Sequence, residues 1–361
     1  MKVLLATHWK PYGTAESVKF ALEACGHSVA VYDYKDNWII GRLRRVRVVG
    51  RDSVSAALVR GFRLRDARLR NLVDRWEPDL LFVLKGETVH RDDIEWARKR
   101  GIVTVNWFPD DPHLFEAVSR HLATAYDFFF TNSIQVIDRY RALGCRNISW
   151  IAFGCEPRYQ KRFPVRTIAE RFKSDVCFVG TCLPERRDLI STLAARSRAS
   201  IKVWGRGWDR YRPPKACRTL RVGPLLSWHD AMVKAYNGAS IVINTTNATQ
   251  RGWDVNSKVY EAAACGSFVL TNAARSLGRI FTEGEEVATY ESYDELVAAV
   301  EHYLSARGER QRIAEAGRAQ VYREHTMLHR VQEILAAVTG EDAVVSAQEV
   351  YGLGKEKEKG S

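Results

Sequence analysis

Twice along its length this chain repeats one rhythm, a short, mainly apolar run followed by a helix-length amphipathic stretch. Residues 2–7, 28–33, 79–84, 102–107, 127–131 and 148–152 make the first set of apolar runs, and 175–180, 200–204, 240–245, 267–271 and 287–290 the second. Between them lie helix patterns such as 15–25, 91–100, 185–196, 227–237 and 293–304, with Gly26 and Gly101 placed as C-terminal stops. A strand that is apolar on both sides must be covered on both sides. Runs of that kind separated by helices predict an α/β fold of parallel sheets with helices on either face.

The 361 residues suffice for two such domains, each with its own core. Residues 154–174, with Pro157, Pro164 and several charges, break the rhythm and read as a linker. The expected division is a Rossmann-like domain over 1–153, a second over 175–308, a C-terminal helix over 309–340 and a polar, disordered tail over 341–361. In open α/β sheets ligands bind outside the carboxyl ends of the strands, so the residues just after each apolar run deserve the closest reading. The first strand–loop–helix unit lacks Gly-x-Gly-x-x-Gly, which removes the usual reason to expect a nicotinamide cofactor.

No apolar run approaches the roughly 18 residues of a membrane span. The opening residues read as a strand rather than a signal peptide. Seven scattered cysteines without zinc-site spacing read as buried thiols in a reducing compartment, so a cytoplasmic location and no metal are expected. The net charge of +12 points to anionic partners. Much of that excess is arginine between Arg42 and Arg75, either a solvated helix face or a docking surface for a polyanion.

Glu261 sits in a short helix pattern whose next residues, Ala262 to Cys265, suit close packing, with Gly266 as the stop and an apolar strand beyond. A carboxylate there needs a partner, either a buried cation or the hydroxyls of a ribose, since an ionised carboxylate accepts two hydrogen bonds at once. The segment resembles the nucleotide-sugar site of GT-B glycosyltransferases of the glycosyl transferases group 1 type, in the CgeB-like branch of spore-maturation proteins. That branch carries Asn-x-Arg-x-x-Glu-Ala-x-Ala-Cys-Gly. Asn256, Glu261, Ala262, Ala264, Cys265 and Gly266 fill it, with Lys258 in place of the arginine. The similarity continues through residues 281–286, 290–296, 313–318 and 324–326 to Arg330.

The resemblance implies two Rossmann-like domains whose parallel sheets face across a cleft, with the last helix returning to the first domain. It implies transfer of a sugar from a nucleotide sugar to an acceptor hydroxyl. A UDP-sugar is favoured over a dTDP- or GDP-sugar, and no metal or other cofactor is called for. Helix N-termini and basic side chains then hold the diphosphate. Gly180 and Thr181, after a strand, lead into a helix with Arg186 in its first turn, and Asn256, Ser257 and Lys258 open the helix of Glu261. Gly205 lets a ligand approach closely and Trp208 is a candidate wall of the base pocket.

In the first domain, Asp110 and Asp111 lie on a stiff loop between prolines, where the CgeB-like branch commonly has Asp-Asp-Pro, and are candidates for the base, with His8 behind them. Lys85, Glu87 and His113 are candidate acceptor contacts. Many retaining GT-B enzymes have a second glutamate eight positions before the one matched by Glu261. Here Trp253 stands there and Asp254 is one step off, which leaves the sugar and the stereochemical course open. The acceptor is open between saccharide, protein and nucleic acid. A DNA-modifying GT-B glycosyltransferase and a sugar-nucleotide epimerase are the alternative readings.

Overall fold

The computed structural model describes residues 1–34, 67–226, 230–342 and 345–353. They divide into two units, the first made of Met1–Ile151 with Arg330–Val345, the second of Ala152–His329 with Ser346–Ser361.

The first unit runs β1 (Lys2–Thr7), α1 (Thr14–Ala24), β2 (Ser28–Asp33), α2 (Ala67–Trp76), β3 (Leu80–Leu84), α3 (Arg91–Arg98), β4 (Val103–Phe108), β5 (Phe128–Thr131), α4 (Ile137–Ala142) and β6 (Ile148–Trp150). Its sheet has the order β2-β1-β3-β4-β5-β6, and every pairing is parallel. Val3, Leu4, Leu5 and Ala6 are all fully buried, as are Leu80 to Val83. Successive side chains point to opposite faces, so both faces are covered, and this is why the strands show no polar alternation in sequence. Of the arginine-rich stretch, residues 42–66 lie outside the described residues. Arg68 and Arg70 on α2 are used for packing: Arg70 Nε donates to the buried Asp93 at 2.7 Å, and Arg68 stacks 5.9 Å from the Tyr32 ring centre.

The second unit runs β7 (Ser174–Val179), α5 (Pro184–Arg196), β8 (Ile201–Trp204), β9 (Leu220–Val222), α6 (Asp230–Asn237), β10 (Ala239–Asn244), α7 (Ser257–Ala264), β11 (Val269–Asn272), β12 (Ala288–Tyr290), α8 (Tyr293–Ser305) and α9 (Arg307–Glu324). Its sheet, again all parallel, has the order β12-β11-β10-β7-β8-β9. The short edge strand β9 is absent from the apolar-run pattern, because only Leu220 of its three residues is buried.

Three stretches differ from the sequence expectation. Residues 154–174 are part of the second unit, where Ile168 and Phe172 are buried and Gly238 comes against the Phe172 carbonyl. The stretch 309–340 is not one helix. It divides into α9 and α10 (Met327–Thr339), because at 325–326 the backbone leaves the helix to pair with Cys155. The Cys155 N–H donates to the His325 carbonyl at 2.8 Å and the Met327 N–H to the Cys155 carbonyl at 2.7 Å. Residues 330–345 belong to the first unit. The tail carries a short helix, α11 (Ala347–Tyr351), with Ala347 buried.

Gly317, inside α9, is where close packing overrides helix propensity. A Cβ there would stand 2.3 Å from the Glu286 carbonyl oxygen. Ala is favoured over Gly in a helix by about 1 kcal/mol, whereas forcing atoms into a filled site costs about 1–3 kcal/mol. Gly317→Ala is expected to lower the unfolding free energy by up to about 2 kcal/mol in urea titration; a stabilised variant would contradict the packing described.

Candidate functional site

In the second unit the strand order turns back between β7 and β10: β8 and β9 extend the sheet on one side of β7, and β10, β11 and β12 on the other. Such a switch point opens a crevice at the carboxyl ends of the two central strands. The residues after β7 are Gly180 to Leu183, leading into α5. Those after β10 are Thr245 to Asn256, leading into α7.

The two loops are tied through one backbone oxygen. The Thr245 carbonyl accepts from Arg186 Nη2 and from Asn256 Nδ2, each at 3.3 Å. Arg186 reaches it from the first turn of α5, where Pro184 starts the helix, and its Nη1 also meets the Thr181 carbonyl at 3.4 Å. Burial lowers the guanidinium's pKa, and the charge of Glu185 offsets only part of that. Among the described residues Arg186 forms no ion pair with a carboxylate, the charge acting on it being that of its chain neighbour Glu185.

Asn256 caps α7, its Oδ1 accepting from the Lys258 N–H at 3.0 Å. Of the other N–H groups of the first turn, that of Val259 meets the Asn256 carbonyl at 3.3 Å, and that of Ser257 remains for an anion, with the positive end of the helix behind it. The inner face of α7 is tight. Ala262, Ala263, Ala264 and Cys265 are buried, and the Ala264 carbonyl accepts from Tyr322 of α9 at 3.0 Å. Glu261 is itself only 9% exposed. Its Oε2 is 3.8 Å from Lys258 Nζ, beyond hydrogen-bond reach, and accepts no hydrogen bond.

Gly180, Thr181, Arg186, Asn256, Ser257, Lys258 and Glu261 thus flank one switch point. Gly205 and Trp208 have other work. Gly205, at φ +141°, lies against Gly180, where a Cβ would come within 2.0 Å of the Gly180 oxygen; the glycine serves backbone packing. Trp208 is fully buried, donates to the Gly180 carbonyl at 2.8 Å and packs edge-on against Phe178 and Tyr211. It is a core residue that props the loop, not a pocket wall, because its indole N–H found a partner inside. Sequence reading missed Thr245, although it ends an apolar run as Gly180 does. It also missed a cavity of about 480 Å³ at the ends of β10, β11 and β12, which Thr245 lines together with Arg251, Arg275, Tyr290, Glu291 and Tyr293.

In the first unit the order reverses between β1 and β3. Lys85, following β3 with φ +66°, places its ammonium 2.5 Å from both Glu87 and Asp110. Burial would lower the Lys85 pKa, but the two carboxylates outweigh it and hold the ammonium charged. His8 lies 3.5 Å from Asp33 at the ends of β1 and β2. His113 is exposed.

Asp111 departs from expectation. It is 0% exposed and accepts from Ser119 (2.7 Å), Thr131 (2.8 Å) and Tyr140 (2.7 Å). A carboxylate so enclosed holds the loop in place; of the adjacent pair, Asp110 is the one that solvent and substrate can reach.

Comparison with known proteins follows the same lines. Residues 186–336 match the family described as glycosyl transferase-like. The chain is 22% identical over 258 residues to the spore protein CgeB of Bacillus subtilis (strain 168), covering 68% of this chain and 78% of that protein. Among solved structures, Anabaena Alr3699/HepE in complex with UDP superposes with a TM-score of 0.67 at 14% identity, over 94% of this chain and all (100%) of that one. Sucrose-phosphate synthase from Thermosynechococcus elongatus does so with a TM-score of 0.66 at 12% identity, over 94% and 99%. The structural likenesses establish the GT-B fold.

Asp111 gives a pH test of its buried role. Burial pushes its pKa up to about 6, against the pull of the three hydroxyls, from about 3.9 in an unfolded chain. The folded state then holds more protons than the unfolded state between those values, so stability is greatest below the lower one and falls as pH rises toward the higher. Relative to Asp111→Asn, the wild type is expected to lose about 2–3 kcal/mol of unfolding free energy as pH rises from about 3 to 7, most of it between about pH 4 and 6. A difference that stays flat with pH would place Asp111 in contact with solvent.

Proposed function

We propose that this chain, a GT-B glycosyltransferase resembling the CgeB-like branch, binds a nucleoside diphosphate sugar at the β7/β10 switch point and passes the sugar to an acceptor hydroxyl without a metal ion. The observation that carries the reading is Glu261, a nine-tenths-buried carboxylate with an oxygen that accepts no hydrogen bond, one turn into a capped helix. An unsatisfied buried acceptor is costly, and two vicinal ribose hydroxyls would satisfy it. A ribose there lays the diphosphate along the first turn of α7, where N–H groups, Lys258 and Arg186 supply the positive charge that a metal would otherwise bring.

In the reaction the acceptor oxygen forms a bond to the anomeric carbon. The bond from that carbon to the β-phosphate oxygen breaks, its electron pair leaves with the nucleoside diphosphate, and the acceptor proton goes to a base. Arg186, Lys258 and the helix N-terminus stabilise the charge that develops on the leaving diphosphate. In the first unit, Asp110 is assigned the acceptor hydroxyl or its proton, with Lys85 and Glu87 holding it in place; His8 and His113 are the remaining candidates there. UDP is the favoured nucleotide, in keeping with the UDP held by the HepE structure. The arginines of 42–75 other than Arg68 and Arg70, which pack within the unit, are assigned to an anionic acceptor or surface, and the protein to the cytoplasm. No helix of the described residues is long and apolar enough to cross a membrane.

Glu261 should show a trade of stability against binding. Glu261→Ala removes an unsatisfied carboxylate, so the unliganded protein is expected to melt no lower than the wild type. Its affinity for UDP should fall by about 1.5–3 kcal/mol, the worth of hydrogen bonds to a charged group. Calorimetric titration with UDP showing equal affinity in both proteins would remove the ribose from this position.

Transfer is expected to persist in EDTA, read as nucleotide release that requires an acceptor. A strict, saturable requirement for magnesium or manganese would overturn the charge assignment to Arg186 and Lys258. Interconversion of sugar nucleotides with no acceptor present would mark an epimerase instead.

A further inference from the structure

The cavity at the carboxyl ends of β10, β11 and β12 carries two arginines and one carboxylate on its lining. Its volume, about 480 Å³, falls within the roughly 300–1,000 Å³ of ligand pockets. Arg251 and Arg275 line it, both are exposed, and neither forms an ion pair among the described residues. Glu291 is the only carboxylate among the lining residues. The Arg275 guanidinium lies 4.2 Å from the centre of the Trp253 ring system, a stacking that fixes its plane and leaves its N–H edge to donate. Tyr290, buried and held by its hydroxyl bond to the Asn244 carbonyl at 3.0 Å, and the exposed Tyr293 complete the aromatic part of the lining.

The backbone joins this cavity to the donor site. Gly252 bridges to Ala274 in parallel register, the Arg275 N–H donates to the Gly252 carbonyl at 3.1 Å, and the Ser276 N–H to the Trp253 carbonyl at 2.9 Å. Ser276 then takes the Val255 N–H on its hydroxyl at 3.1 Å, two residues before α7 begins. Arg251 and the cap residue Asn256 are five residues apart, at most about 17 Å of extended chain. Thr245 lines the cavity with one part of the residue and offers its carbonyl to Arg186 and Asn256 with another.

We infer that this cavity receives the donor's sugar and selects one that carries a carboxylate, a hexuronic acid. The guanidinium fork matches a carboxylate in two parallel hydrogen bonds, and two arginines against one glutamate leave a positive charge that a neutral hexose would not compensate. The inference rests on the donor-site reading, because the diphosphate on α7 is what brings the sugar to the cavity.

The experiment is calorimetric titration of the wild type with UDP, UDP-glucose and UDP-glucuronate, repeated on the Arg251→Gln/Arg275→Gln double variant. The wild type should bind UDP-glucuronate about 10- to 100-fold more tightly than UDP-glucose, the span of a charge-assisted hydrogen-bonded pair. In the double variant that ratio should fall to about twofold or less. The wild-type ratio needs no variant to fold, so equal affinity for the two sugars overturns the inference by itself. A preference that survives in the double variant overturns the assignment to these arginines. Failure to bind UDP at all removes the donor-site reading instead, and is distinguishable because it is read with no sugar present.

Discussion

The carbonyl of Thr245 is the point on which the candidate site hangs. It is the first residue past β10, it is buried, and it faces two donors from different loops, Arg186 of α5 and Asn256 of α7. A carbonyl at the end of a parallel strand has lost its next ladder partner, and a guanidinium and an amide take that place. The bond to Asn256 sets where α7 starts, and the cap that Asn256 then makes to the Lys258 N–H sets the direction of the first turn. The position of Glu261, one turn on, follows from that start.

What lies behind α7 explains why a carboxylate remains there without a full complement of hydrogen bonds. Ala262 to Cys265 allow the helix to sit closely on its neighbours, and the φ of +72° at Gly266 ends it and turns the chain toward β11. The guanidinium of Arg162 lies against Gly266 and pairs with Glu315 of α9 at 2.5 Å, so the helix is enclosed from that side as well. Glu261, on a helix so enclosed, is itself left only 9% exposed. Under the proposed donor assignment, the cost of its unmet acceptor in the unliganded protein is recovered when ribose hydroxyls bind, which is how a preorganised site gains affinity.

The first unit solves a different problem with the same kind of strand end. Asp110 and Asp111 are adjacent, yet one is enclosed by three hydroxyls and the other pairs with Lys85. The buried carboxylate fixes the loop and the exposed one is thereby presented on a rigid base. Lys85 is held in the left-handed region while its carbonyl accepts from the buried Asn106 at 3.2 Å and the Gly86 N–H donates to Tyr34 at 3.3 Å. Backbone strain of this sort persists only where the surroundings over-determine it.

The amino-acid sequence by itself determined the architecture. Strands buried on both faces leave no choice but parallel sheets under helices, and β1 to β8 and β10 to β12 lie on or beside the apolar runs. The Asn256–Gly266 segment likewise marked a short capped helix, because a cap, a run of small residues and a glycine stop are local features. Tertiary structure alone decided which of two neighbouring aspartates faces solvent, since Ser119, Thr131 and Tyr140 come from other elements. It decided that Trp208 packs inward and Gly205 serves a backbone contact, because their partner, Gly180, is remote in sequence. It broke the last long helical pattern at residues 325–326, where pairing with Cys155 outweighs continued helix. It also gathered Arg251 and Arg275 onto one cavity. Side-chain periodicity reports which face of an element is covered, but not what covers it, and each of these outcomes depends on the second.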